Sequence, residues 1–307
     1  MINMKVVVAG GSGALGRRLC SELTGQGHEV VVLTRTPRPG PHRTVQWDGE
    51  TVGPWAAELE GAAVVNLAGE LVDRRPTAKN LALLTSSRVQ PTLALRSAAE
   101  SLDVAVPVWV QASTTAIYGD AADRMVDEET PPATDPPQMA GVARAWEAAA
   151  IDAPARRQVI LRTSVVLDRG TPAMDRLTGL VRFGLGGRIG DGRQWLSWIH
   201  IEDWLRVTTW SLGAGEGPGE PPSGVLVVSS PHPVRNAAFM AALRTVLHRP
   251  AAPPTPAALV RLGAVLLRTD PALALTGRRA VPARLEAAGF VFRHPTLEGA
   301  LTDLLAR

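Results

Sequence analysis

Lys5-Val6-Val7-Val8-Ala9-Gly10-Gly11-Ser12-Gly13-Ala14-Leu15-Gly16 decides how the rest of the 307-residue chain is read. Lys5–Ala9 is short, apolar and β-branched, with no polar alternation. A strand of that texture is covered on both faces, as strands of parallel sheets are. The glycines end it, and from Ala14 to Leu23 apolar residues recur at helical spacing. Two overlapping patterns occupy the junction, Gly11-x-Gly13-x-x-Gly16 and the wider Gly10-x-x-Gly13-x-x-Gly16. Either meets the same physical need. One glycine makes the tight turn, one lets backbone N–H groups reach a pyrophosphate, and one lets the helix close on the strand. The helix N-terminus then turns its dipole toward the phosphates.

Outward from this junction the buried-strand texture repeats at Glu29–Thr34, Ala62–Leu67, Val106–Ala112 and Gln158–Leu167. Helical stretches lie between, over Thr77–Leu102 (one helix or two) and Gly141–Ala150. Strands alternating with helices predict an α/β fold, a Rossmann-type doubly wound parallel sheet. After Gly170 the texture changes. Gly184–Gly192 is glycine-rich, Ile201–Leu212 and Asn236–Leu247 are helical, and Val225–Val228 is a strand. The last fifty residues read as helices with a short strand at Phe290–Phe292. The organisation expected is a nucleotide-binding domain over 1–170 and a smaller, mostly helical substrate domain over 171–307, interdigitated with the first. Strand two ends Leu33-Thr34-Arg35-Thr36, with Arg35 where an acid would hold a ribose 2′-OH. A guanidinium there matches a 2′-phosphate instead. The cofactor expected is therefore NADP(H), with Ser12 and Arg17 as further donors; the competing reading of Arg35 is a solvated strand-end charge.

Composition excludes other classes. Of 32 basic side chains only Lys5 and Lys79 are lysines, and neither follows a glycine, so there is no GxxxxGK[ST] phosphate loop. A single cysteine, Cys20, allows no internal disulfide and no cysteine zinc cluster. The six histidines are dispersed, without H-x-x-H or H-E-x-x-H, so no metal is expected. No G-x-S-x-G elbow is present. A net charge of +3 without a long basic run gives no reason to expect nucleic acid. No stretch approaches the ~18 apolar residues of a membrane span, and no leader pattern opens the chain. The expectation is a cytoplasmic protein with a small-molecule substrate and no membrane. Asp127-Glu128-Glu129 reads as a solvated turn.

Several segments, in order, resemble the extended short-chain dehydrogenase/reductases, in particular their nucleotide-sugar-epimerase-like branch with its own C-terminal domain. They are Val8–Gly16, Asn66-Leu67-Ala68-Gly69-Glu70, Ser87-Arg88-Val89, Ala112–Asp120, Leu161–Leu167, Gly190–Asp203, Pro231–Asn236 and Pro282–Phe290. The resemblance implies that Gly10, Ser12, Gly13, Ala14 and Leu15, with Gly16 behind them, form the pyrophosphate loop. Arg35 would take the 2′-phosphate, and Trp47-Asp48 would fall at the adenine pocket. Leu67, Ala68 and Gly69 would back the adenosine ribose, and Thr163, Ser164 and Val165 would lie near the nicotinamide. Extended members often dimerise, so a homodimer is a further expectation.

Most of that family moves a proton with a Tyr-x-x-x-Lys pair beside a Ser or Thr. Counting back from Glu147, those two positions fall on Met139 and Ala143, neither of which titrates. The remaining candidates are the hydroxyls Ser113, Thr114 and Thr115, the only phenol, Tyr118, and His200, each with a structural role as the competing reading. Arg162, Arg88 and Lys79 are read as possible anion ligands or, more simply, surface charges. The function expected is an NADP(H)-dependent reductase or epimerase acting on a small polar carbonyl or alcohol without the usual pair. The alternatives are a catalytically silent NADP-binding sensor, or a recruited isomerase or lyase of specialised metabolism.

Overall fold

The computed structural model describes residues 3–134 and 139–306. Five strands come first: β1 (Lys5–Ala9), β2 (Glu29–Thr34), β3 (Arg43–Gln46), β4 (Ala63–Asn66) and β5 (Trp109–Thr114). There follow β6 (Met125–Val126), β7 (Gln158–Thr163), β8 (Val165–Leu167), β9 (Trp195–Leu196), β10 (Trp198–His200), β11 (Gly224–Val228), β12 (Val234–Arg235) and β13 (Arg279–Ala280). Seven of them form one parallel sheet in the order β11-β7-β5-β4-β1-β2-β3. The chain runs from β1 outward to β3 and returns to the other side of β1 as β4. This reversal opens a crevice at the carboxyl ends of β1 and β4, where doubly wound sheets hold ligands.

The sheet is buried on both faces, which is why β1 carries no polar alternation. Val6 and Val8 pack into one apolar core and Val7 and Ala9 into the other. The first core takes Leu19 and Cys20 of α1 (Ala14–Gly25) and Trp204 and Val207 of α5 (Ile201–Leu212). The second takes Leu95 and Ala98 of α2 (Ala78–Glu100). Thr77–Leu102 is thus one helix, continuous through Pro91. Beside α2 packs α3 (Met139–Ala150). The rest of the chain is mostly helical: α4 (Pro172–Arg182), α6 (Asn236–Val246), α7 (Ala257–Leu267), α8 (Ala272–Leu275), α9 (Ala283–Ala287) and α10 (Leu297–Leu305).

Three local expectations are corrected. Gln158–Leu167 is not one strand. At Ser164 both the amide and the hydroxyl donate to Val228 O (3.0 Å each), and Val165 then bonds to Ser197 O, so β8 leaves the main sheet to pair with β10. Phe290–Phe292 is not a strand. Its aromatics serve packing: Phe290 stacks on Trp210 at 5.9 Å and meets Phe292 edge-on at 5.1 Å. Glu128 is not solvated. Its carboxylate accepts from the amides of Val227 (2.8 Å) and Arg284 (3.3 Å), tying the 125–130 turn to β11 and α9, and burial pushes its pKa up. Nearby, β13 pairs with β6. No helix among the described residues is long and apolar enough to cross a membrane.

Candidate active site

The glycine loop is built by close approach. Gly10 has φ +81°, a conformation suited to glycine, and a Cβ there would lie 2.7 Å from the backbone of Leu67. Leu67 in turn donates its amide to Ala9 O (2.8 Å). A Cβ on Gly16 would lie 2.2 Å from Gly10 O, so α1 can close on the loop only with glycine there. Gly13 caps α1 with no side-chain acceptor on the helix amides, while its own amide donates to Gly10 O (3.0 Å). The first-turn amides of α1, including those of Ala14 and Leu15, are thereby left for an external anion. Arg17 donates to Ser12 O (2.5 Å), bracing the loop from the helix side.

The opposite wall is shaped by a buried amide. Asn66 donates to Thr92 Oγ1 (2.8 Å) and Gln111 Oε1 (3.1 Å) and accepts from the Ala68 amide (3.1 Å), which sets the turn Leu67-Ala68-Gly69. Against Gly69 lies Arg88, buried, donating to Leu84 O (3.0 Å) and Glu70 O (2.9 Å) and stacked over Trp146. Burial lowers its pKa to about 10. Arg88 is therefore not a surface charge.

Arg35 leaves the end of β2 with 75% of its side chain exposed, its guanidinium 3.5 Å from Glu70, which Arg74 also holds at 2.8 Å. It borders a cleft of about 440 Å³ shared with Trp47, Asp48 and Trp55. The two tryptophans meet edge-to-face at 5.4 Å. Asp48 accepts from the Thr51 hydroxyl and the amides of Thr51 and Glu50; those bonds hold its carboxyl at a pKa of about 2.

Ser113 and Tyr118 belong to one buried network. Ser113 donates to Glu147 Oε1 (2.5 Å), and Arg162 grips the same carboxylate through Nε (3.0 Å) and Nη2 (2.9 Å). Arg162 Nη1 donates to the Tyr118 oxygen (2.9 Å), and the Tyr118 hydroxyl donates to Asp127 O (2.6 Å). Burial pushes the phenol up to about 12, more than Arg162 offsets. Thr114 accepts from the Ala116 amide (3.1 Å), which leaves its own proton available. Thr115 is buried beside it. Thr114 sits in register with Thr163, whose hydroxyl accepts from Trp204 Nε1 (3.3 Å), so the 113–115 and 163–165 segments reach the same sheet end. Val165 is exposed there. On α3, Met139 is half-buried, and Ala143 packs with Ile117 and Tyr118. Glu147 and Arg162 are the members of this network that the sequence did not single out for a joint role. The available signal was an arginine inside the otherwise apolar β7.

His200 stands apart in its contacts. Its Nδ1 accepts from the Glu202 amide (3.2 Å), capping α5, and its Nε2 lies 3.4 Å from Asp303. Burial, then the neighbouring His294, lowers its pKa. His200, Glu202 and His294 bring ligating atoms within 4.8 Å of one another. The two rings, however, stack at 3.7 Å and 31°. Their in-plane lone pairs run side by side instead of converging on one point, as a tetrahedral metal requires.

A parallel sheet with a reversed strand order and a glycine loop at the switch point define a dinucleotide-fold protein of the extended short-chain dehydrogenase/reductase type. The chain belongs to the NAD dependent epimerase/dehydratase family, which matches residues 6–222, and a domain of unknown function (DUF1731) matches residues 255–304. Among similar proteins are the bovine epimerase family protein SDR39U1 (36% identical, 99% of this chain and 100% of that one) and the Mycobacterium leprae epimerase family protein ML0860 (34%, 98% and 96%). The crystal structure of human SDR39U1 with NADPH is 33% identical, covers 99% of this chain and 100% of that one, and superposes with a TM-score of 0.86. UDP-glucuronic acid 4-epimerase from Bacillus cereus, at 18% identity and a TM-score of 0.75 over 99% of this chain and 98% of that one, shares the fold.

Proposed function

We propose that the protein is an NADP(H)-dependent enzyme, a reductase or epimerase acting on a carbonyl or alcohol without a Tyr-x-x-x-Lys pair. The observation that carries this reading is Arg35, an extended guanidinium at the end of β2 over a cleft walled by Trp47 and Asp48. The NADPH of the human relative's crystal structure supports it. The loop fits such a group, because the first turn of α1 carries no side-chain cap and the close backbone approach at Gly10 and Gly16 brings that helix end up against the loop. Amides of Gly10–Gly16 would hold the pyrophosphate, Arg35 the 2′-phosphate, Trp47 and Asp48 the adenine, Leu67–Gly69 the adenosine ribose, and Thr163–Val165 the nicotinamide. When bound, the cofactor supplies or accepts hydride at its nicotinamide ring.

The chain's own part is proton handling. Ser113 has committed its proton to Glu147, so it meets a substrate hydroxyl as an acceptor. Thr114 keeps its proton and can donate to a substrate oxygen. Tyr118, held protonated and bonded at both ends, steadies Arg162, which shares Glu147 with Ser113; His200 caps α5. Met139 and Ala143 favour a second reading, a sensor that binds cofactor without turnover, which a cofactor-consumption assay separates from the first.

Arg35→Ala is expected to weaken NADPH roughly 10- to 100-fold, the worth of charge-assisted bonds to the phosphate, and to leave NADH nearly unchanged. Titration of both nucleotides checks this, and equal weakening would remove the 2′-phosphate role. Thr114→Val is expected to lower kcat on the order of 100-fold while NADPH affinity holds. An unchanged kcat would take the donor role from Thr114.

A further inference from the structure

α7 (Ala-Ala-Leu-Val-Arg-Leu-Gly-Ala-Val-Leu-Leu) is among the most apolar helices of the chain, yet Ala264 is the one residue it buries. Leu259, Leu262, Val265 and Leu266 recur at helical spacing and stand exposed, Leu266 by 75%. α7 is tied to two other elements. The segment before it bonds to the loop after α4, Thr255 N to Arg188 O and Gly190 N to Thr255 O (2.9 Å each). At its far end Arg75 donates to Val265 O, and Asp73 takes both Thr269 and Arg176 of α4. The two other elements are exposed and apolar as well: Phe183 and Leu185 follow α4, and Leu71 sits in the 70–76 loop, Phe183 at 85% exposure. That loop continues directly from Leu67-Ala68-Gly69, so the apolar face borders the mouth of the cofactor crevice.

The charge around this face is one-sided. Arg75, Arg182, Arg188, Arg249, Arg261 and Arg268 are exposed and hold no ion pair among the described residues. Of the nearby acids, Glu70 and Asp73 are taken by Arg74 and Arg176, and Asp270 is buried, which leaves Asp175 and Asp191 against the six arginines. The whole chain carries only +3, so much of its excess is gathered here. An isologous dimer would set this face against itself and oppose arginine to arginine. Side chains as exposed as Phe183 and Leu266 stand clear of the surface instead of lining a groove. Protruding apolar residues ringed by arginine match the interface of an anionic bilayer, where acyl chains meet phosphate head groups.

From these observations we infer that the α4–α7 face docks the protein on an anionic lipid surface, lying on the bilayer without spanning it and turning the crevice mouth toward the lipid. The test is flotation of the full chain with phosphatidylglycerol–phosphatidylcholine vesicles and with phosphatidylcholine alone. The wild type is expected to float with the anionic vesicles only, and to lose binding as salt rises. Phe183→Ser with Leu266→Ser should cut partitioning on the order of tenfold or more. Arg182→Gln and Arg261→Gln should each cost roughly fivefold. All four side chains are exposed, so folding, read by circular dichroism, and NADPH affinity should be unchanged; failure at this face is thereby distinct from failure of the cofactor assignment. No flotation of the wild type, equal flotation with neutral vesicles, or a dimer in solution that Phe183→Ser with Leu266→Ser dissociates would each overturn the proposal.

Discussion

Arg162→Met is expected to cost the fold about 3–5 kcal/mol, the usual result of stripping one partner from a buried ion pair. Burial alone would depress the Arg162 pKa, but two bonds to Glu147 more than compensate and hold it above its ordinary value. Without the guanidinium the Glu147 carboxylate keeps a single donor, Ser113, inside the protein, and the Tyr118 oxygen loses its own donor. Thermal unfolding should show Tm falling by roughly 5–8 °C. The apolar pair Arg162→Met with Glu147→Leu should recover most of the loss, because it removes the charge left behind as well as its partner. A single mutant within about 0.5 kcal/mol of wild type would mean that Glu147 is not held as a buried carboxylate. The double mutant also separates support from chemistry: regained stability with low kcat would place Glu147 in the proton path through Ser113.

Gly16→Ala is expected to be nearly as severe, and chiefly for binding. The added carbon would sit 2.2 Å from Gly10 O and 2.6 Å from Gly11 Cα, against backbone that cannot swing away. α1 must tilt off the loop, misplacing the first-turn amides proposed to hold the pyrophosphate. NADPH affinity should fall on the order of 100-fold, about 2.7 kcal/mol, with a stability loss of about 1–3 kcal/mol from overpacking. Gly25→Ala is the control at the other end of the same helix. Its added carbon meets nothing within 4 Å, and the change should be neutral or stabilising by up to about 1 kcal/mol. Equal nucleotide affinity in the two variants would refute the close-packing account of the loop.

The strand–loop–helix at 5–25 was legible because each of its requirements is local. A two-faced strand, a left-handed glycine and a close helix all leave their mark within a dozen residues. The place of Arg35 at the end of β2, beside the cleft, was legible for the same reason, as a charge at a fixed distance from that loop. The Ser113–Glu147–Arg162–Tyr118 network was not legible, since its members lie on β5, α3, β7 and the 115–118 turn and meet only when β5 and β7 pair and α3 packs across them. Arg162 looked like a surface charge because nothing beside it in sequence is its partner; the strand register puts Ser113 opposite it. Phe290–Phe292 misled in the other direction. Aromatic content suggested a strand, but those rings fill space against Trp210, and among the described residues no strand pairs with this segment. Glu128 shows the same limit, since the two amides that bury it lie about a hundred and a hundred and fifty positions away.

The position of β11 at the edge of the main sheet bears on how the chain is made. β7 is covered on its outer side only when β11 arrives, and the end of Ser164's turn is fixed by the carbonyl of Val228. On a ribosome adding ~5–20 residues per second, those roughly sixty intervening residues take several seconds to emerge. For that interval Val159, Ile160 and Leu161 present an open backbone edge, the feature most prone to pair with a neighbouring nascent chain. The glycine loop, α1 and the first five strands can settle early, but the sheet stays unfinished until well past the middle of synthesis. Slow translation over 164–228 lengthens that exposure.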